Sequence, residues 1–131
     1  MLRAAAIIPC ALAVSAPAAD TAPALPESHS DLARAITDFL SRTELCLRSC
    51  TDAESVQAAM PKLRELAKEA RNLSEAQKAL PEPTVQDYLA SQSLAVQFLH
   101  IWRTIRSHRD RLEKDGLMTD ELRQILQAGL E

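Results

Sequence analysis

L-C-L-R-S-C-T-D-A-E, residues 45 to 54, holds the end of one helix and the start of the next. T-D-A-E at 51–54 has the Thr-x-x-Glu spacing of a capping box, in which a side-chain oxygen accepts an orphan N–H of the first turn and the acid reaches back to the cap. The chain therefore turns at Cys50. Upstream, Leu32, Ile36, Phe39, Thr43, Cys46 and Cys50 recur in steps of 4, 3, 4, 3 and 4, which is one face of an α-helix. Both cysteines continue that inward stripe.

Working outward, S-H-S-D starts this first helix near Ser28 or Ser30, and it runs over about 30–49. A second helix follows over about 52–80, with Val56, Leu63, Ala70 and Gln77 as one heptad row and Ala59, Leu66, Leu73 and Leu80 as the other. Pro61 lies inside it, where a missing N–H and a clash with the Gln57 carbonyl cost about 3 kcal/mol and predict a kink or a break. P-E-P at 81–83 stops it. T-V-Q-D at 84–87 caps a third helix over about 85–114, carrying Val85, Tyr88, Leu89, Ala95, Val96, Phe98, Leu99, Trp102, Ile105 and Leu112. So wide a stripe predicts contact with more than one neighbour. Gly116 suits the left-handed position after the last turn, with Leu117 folding back on Leu112. A short helix over about 120–128, with Leu122, Ile125 and Leu126, ends at Gly129. Short connections favour neighbours that alternate in direction. The expected fold is all-α: an antiparallel bundle of three main helices plus a short C-terminal one.

Composition agrees. The 131 residues include 2 Gly, 3% aromatics and 47% hydrophobics rich in Ala and Leu, which favours helices and one domain. A net charge of −3 lacks the basic excess of a nucleic-acid binder, so no nucleic-acid partner is expected. The N-terminus reads as a signal peptide over 1–19: Arg3, then the apolar run A-A-A-I-I-P-C-A-L-A-V, then small residues that place cleavage near Ala18 or Ala19. Eleven apolar residues fall short of the roughly 20 that span a bilayer, so no transmembrane span is expected. Residues 20–29 read as a disordered Ala/Pro tether, and 30–131 as the helical domain. The expected location is exported, periplasmic or extracellular. Losing the leader moves the charge from −3 to −4 and leaves two cysteines of three.

D-A-E-S-V-Q-A-A-M-P-K-L-R-E-L, residues 52–66, resembles a segment of small exported bacterial helical proteins of unknown function, of the form D-x-x-S-A-x-x-A-x-P-K-L-x-x-L. Asp52, Ser55, Ala59, Pro61, Lys62, Leu63 and Leu66 match, and Val56 stands where Ala is usual. The resemblance implies an exported helical protein and transfers no catalytic residue.

For chemistry, Cys46 and Cys50 form a Cys-x-x-x-Cys pair at a helix C-terminus. The expectation is a disulfide locking the turn, with two buried thiols as the alternative. A redox role carries little weight, because the C-terminal end of a helix dipole opposes thiolate. His29, His100 and His108 have no zinc-type spacing, and no metal or cofactor is expected. Arg103, Arg106 and Arg109 lie in the one basic run; they read as a solvated face or as contacts to an anionic partner, a membrane surface included. No catalytic constellation is present, so no enzyme is expected. The function expected is a non-catalytic interaction or structural module of the cell envelope, pairing with a protein partner or with itself through helix faces. The alternatives are a bundle holding a metal or a small apolar ligand, and thiol redox.

Overall fold

The Ser28 hydroxyl accepts the Asp31 N–H and so starts α1 (His29–Arg48), one residue earlier than the expected start at 30. The computed structural model describes residues 25–130; the leader and residues 20–24 of the tether lie outside them. α1 ends at Ser49, whose N–H reaches back to the Leu45 and Cys46 carbonyls. The cap of α2 (Ala53–Ala79) differs from expectation by one residue. Asp52, not Thr51, is the N-cap, and its carboxylate accepts the Ser55 N–H at 2.8 Å. Ser55 Oγ in turn accepts the N–H groups of Asp52 and Thr51, at 2.9 and 2.8 Å. A carboxylate is a charged acceptor beside the helix's positive end, and the short Ser55 side chain closes the box that Glu54 was expected to close.

α2 runs unbroken through Pro61. Its proline lies in the third turn on the exposed side, while Met60, Leu63, Leu66, Leu73 and Ala76 are buried. α3 (Val85–Lys114) has the expected Thr84–Asp87 box and ends as expected. Gly116 sits at φ 71°, with Leu117 N–H on the Leu112 carbonyl at 2.9 Å and Gly116 N–H on Glu113 at 3.2 Å, the two bonds of a Schellman stop. α4 (Asp120–Leu130) continues past the expected stop at Gly129, because that residue is packed in the helix with its Cβ position 3.5 Å from the Ala67 Cα. α4 and α2 touch at this glycine, where an added Cβ would sit at ordinary van der Waals distance from Ala67.

Among the described residues there are four helices and no strand, packed as a bundle. α1 packs on both α2 and α3, and α4 packs on α2. α1 therefore buries more than the single stripe its spacing predicted: Leu40, Glu44 and Leu47 are buried alongside Leu32, Phe39 and Thr43. As its wide stripe predicts, α3 meets more than one helix: its backbone packs on α1, and its Glu113 side chain reaches Arg123 of α4. Ion pairs tie the rest: Arg42 to Glu69 through both guanidinium nitrogens, one bond at 2.8 Å, Arg64 to Glu121 at 2.6 Å, and Arg123 to Glu113 at 2.8 Å. Exposed pairs of this kind each contribute about 0–1 kcal/mol, so the apolar core decides stability.

Leu47→Ala and Leu112→Ala, both at fully buried positions, should each destabilise by about 2–5 kcal/mol in urea unfolding. Leu89→Ala, on the exposed side of α3, should stay within about 0.5 kcal/mol of the parent.

Candidate interaction surface

The turn after α1 is a clasp. Cys50 is fully buried, its Sγ 3.3 Å from the Cys46 carbonyl oxygen, and Cys46 is half-buried. Both are free thiols in the structure. Burial pushes both thiols above their ordinary range, with Lys62 opposing at Cys46, and with Cys46 adding to the effect at Cys50. A protonated buried thiol is a poor nucleophile. Arg111 of α3 donates to the Cys50 and Leu47 carbonyls at 2.9 and 3.1 Å, the Leu47 oxygen also accepting the Cys50 N–H at 3.1 Å. Its guanidinium also lies 3.4 Å from His108 Nδ1. A guanidinium only donates, so Nδ1 accepts and Nε2 carries the proton given to Glu44, at 2.9 Å. Arg48 holds the same carboxylate at 2.7 and 3.0 Å. These groups are consumed in joining α1 to α3.

Glu44 and Arg111 were invisible as a pair in the sequence. Glu44 lies off the apolar stripe, and Arg111 looked like one more member of a basic run. The other histidines stand apart: His29 Nε2 donates to the Pro81 carbonyl at 2.6 Å, and His100 is exposed. Among the described residues no three His, Cys, Asp or Glu side chains gather where they would hold a metal ion.

The basic run does not form one patch. Arg106 and Arg109 line a cleft of about 410 Å³ with Asp110, Glu113 and Arg123, and Arg103 lies outside it. Asp110 and Glu113 share that cleft with three arginines, so it is not a uniformly positive basin.

An unclaimed apolar surface lies on the N-terminal half of α3. Residues 88–102, between Asp87 and Arg103, contain no Asp, Glu, Lys or Arg. All three buried residues of α3, Ile101, Ile105 and Leu112, lie in its C-terminal half. Asp87, Ser91 and Leu94 are half-buried and continue the row that leads to Ile101 and Ile105 on α1. Two residues away, or roughly 200° around the helix, a second row points outward. It comprises Val85 (74% exposed), Leu89 (62%), Gln92, Val96 (76%) and Leu99 (53%), in steps of 4, 3, 4 and 3. The wide apolar stripe seen in the sequence is thus two rows on opposite sides, of which only one meets the bundle. Beside it, where α2 and α3 stand apart, an open apolar groove of about 420 Å³ is lined by Phe39, Leu40, Leu73, Phe98, Trp102 and Leu130. Phe98 and Trp102 stack there with ring centres 6.5 Å apart. Among the described residues no helix is long and apolar enough to cross a membrane.

The clasp has a pH signature. Burial raises the Glu44 carboxyl, but hydrogen bonds from His108 and Arg48 outweigh it, and the net shift is downward. A carboxyl held lower in the folded chain than in the unfolded one stabilises the fold above the ordinary carboxylate range, and that share is lost as pH falls through the folded value. Glu44→Gln should cost about 1–3 kcal/mol at neutral pH and give a shallower loss of stability below about pH 4, measured by urea unfolding across pH. No family model, curated protein or solved structure matches this chain.

Proposed function

We propose that this protein is a non-catalytic, exported helical interaction module of the cell envelope. In this reading α1, α2 and α3 run up, down and up, α4 buttresses α2, and the outer row of α3 is the binding face. The observation that carries it is the charge-free run 88–102 with Val85, Leu89, Val96 and Leu99 more than half exposed on one row. Scattered apolar side chains are ordinary on a surface, whereas a contiguous row of them marks a contact site. Charged side chains that would oppose a partner are missing from that face, and the perturbed ionisable groups of the clasp face inward, away from it. Export is supported by the leader pattern at 1–19 and by the resemblance at 52–66. In an oxidising compartment Cys46 and Cys50 would close as a disulfide, for which Cys50 is placed just outside the helix and so free of helical dihedrals.

A photo-crosslinking residue at position 96, introduced in the producing cell, should give discrete protein adducts, and the same probe at exposed position 72 on α2 should not. Equal or absent labelling at the two positions would sink the reading. Protein recovered from its native compartment and unfolded in denaturant without reductant should take up no alkylating agent at Cys46 or Cys50; two modified thiols would remove the disulfide and weaken the export reading.

The groove favours a second reading, a small apolar ligand. Its volume of about 420 Å³ lies within the roughly 300–1,000 Å³ of ligand sites, and its aromatic wall is a stacked pair. A co-purified molecule in native mass spectrometry that is lost on Trp102→Ala would support it, and a clean chain mass would dismiss it.

A further inference from the structure

Resting on the reading of α3 as the binding face, we infer that its partner is a second copy of this chain, held by an antiparallel pairing of α3 with α3 about a twofold axis near residue 94. The outer row of α3 is Val85, Leu89, Gln92, Val96, Leu99, Arg103 and Arg106, in steps of 4, 3, 4, 3, 4 and 3, with Glu82 three residues ahead in the preceding connection. Turned end for end about residue 94, this row falls on itself. Leu89 meets the partner's Leu99, Gln92 meets the partner's Val96, and Val85 meets the aliphatic stem of the partner's Arg103. That is the seam spacing by which two helices interlock.

Charge fixes the direction. The row is empty of charge in its middle and basic at one end through Arg103 and Arg106, and Glu82 lies in the connection just ahead of its other end. All three are exposed. An antiparallel pair sets Glu82 against the partner's Arg106 at both ends. A parallel pair would stack Arg103 and Arg106 on their own copies. Antiparallel helices also oppose their dipoles favourably. The two Gln92 amides then lie about 6 Å apart along the seam, close enough to the axis to approach each other instead of facing only Val96. α1, the one helix in backbone contact with α3, packs on the opposite side, and α4 reaches α3 only toward its C-terminal half, where Arg106 lines the cleft with Arg123. The seam from Val85 to Arg106 is about 33 Å long and one helix wide, so the pairing belongs with small, reversible interfaces.

Sedimentation equilibrium on the chain should show a monomer–dimer equilibrium. Val96→Glu, at a position 76% exposed in the monomer, should leave helicity by circular dichroism unchanged and raise the dimer dissociation constant roughly a hundredfold, since each dimer then buries two unpaired carboxylates. For orientation, chains carrying Leu89→Cys and Leu99→Cys should cross-link to each other under mild oxidation, mapped by peptide mass, and neither variant should do so with itself. A chain that stays monomeric at every concentration overturns self-pairing; if the position-96 probe still captures another protein, the interaction reading stands, and if it captures nothing, both fail. A dimer indifferent to Val96→Glu, or a Leu89→Cys chain that links to itself, overturns the seam or its direction.

Discussion

α1 is a twenty-residue helix that must be buried on two sides at once, and the rest of the fold follows from that requirement. One side, through Phe39, Thr43 and the residues around them, meets α2; another, through Glu44 and Leu47, meets the end of α3. A helix can hold apolar side chains on both sides only if the polar groups caught between are satisfied. Thr37 and Thr43 satisfy theirs within α1, donating to the Ala33 and Phe39 carbonyls at 2.8 and 2.9 Å. Glu44 cannot do so alone. A buried carboxylate without partners costs several kcal/mol, and here Arg48, His108 and, behind it, Arg111 surround it. The junction of α1 and α3 is therefore specified by polar geometry, whereas α1 against α2 is specified mainly by apolar packing.

That division makes α3 uneven along its length. Its C-terminal half is fixed by Ile101, Ile105 and Leu112 in the core, by the Arg111 bonds and by the Schellman stop. Its N-terminal half rests on α1 through half-buried residues only, with the His29–Pro81 hydrogen bond near its start. Few buried contacts mean a lower local opening free energy. The half of α3 that offers its outer row is also the half least committed to the bundle, so a partner there stabilises a region the monomer holds weakly.

Most of the fold was legible because its signals are local. Helix caps depend on residues within four positions, so Ser28, the Thr84–Asp87 box and Gly116 could be placed from spacing alone, and the cap of α2 missed by one residue because Thr51 and Asp52 are both good caps in sequence. What stayed hidden depends on which elements meet. Leu40, Glu44 and Leu47 fall outside a one-face stripe and are buried only because α1 has two neighbours. The Val85–Leu99 row looked like core because apolar spacing records a face and not what covers it. Gly129 read as a stop because a glycine that ends a helix and a glycine at which two helices touch are the same letter. Arg103, Arg106 and Arg109 share a sequence run and not a surface patch, since six residues turn the helix by roughly 240°.

An exposed charge-free row is also a hazard, because it can nucleate open-ended association as readily as a defined contact. The distribution of charge around it limits the outcome. The outer side of α2 is dense with Lys62, Arg64, Glu65, Lys68, Arg71, Glu75 and Lys78, so it offers no second apolar face to a neighbouring molecule. Where copies pair row against row, the contact uses the same patch on both, and such a contact closes at two subunits. The end charges then select register: a slip by one heptad would move Glu82 away from Arg106 and set Arg106 over apolar Leu89 or Glu82 over apolar Leu99. Closure and register thus come from where charge stops and starts along α3, while the apolar residues between supply the attraction.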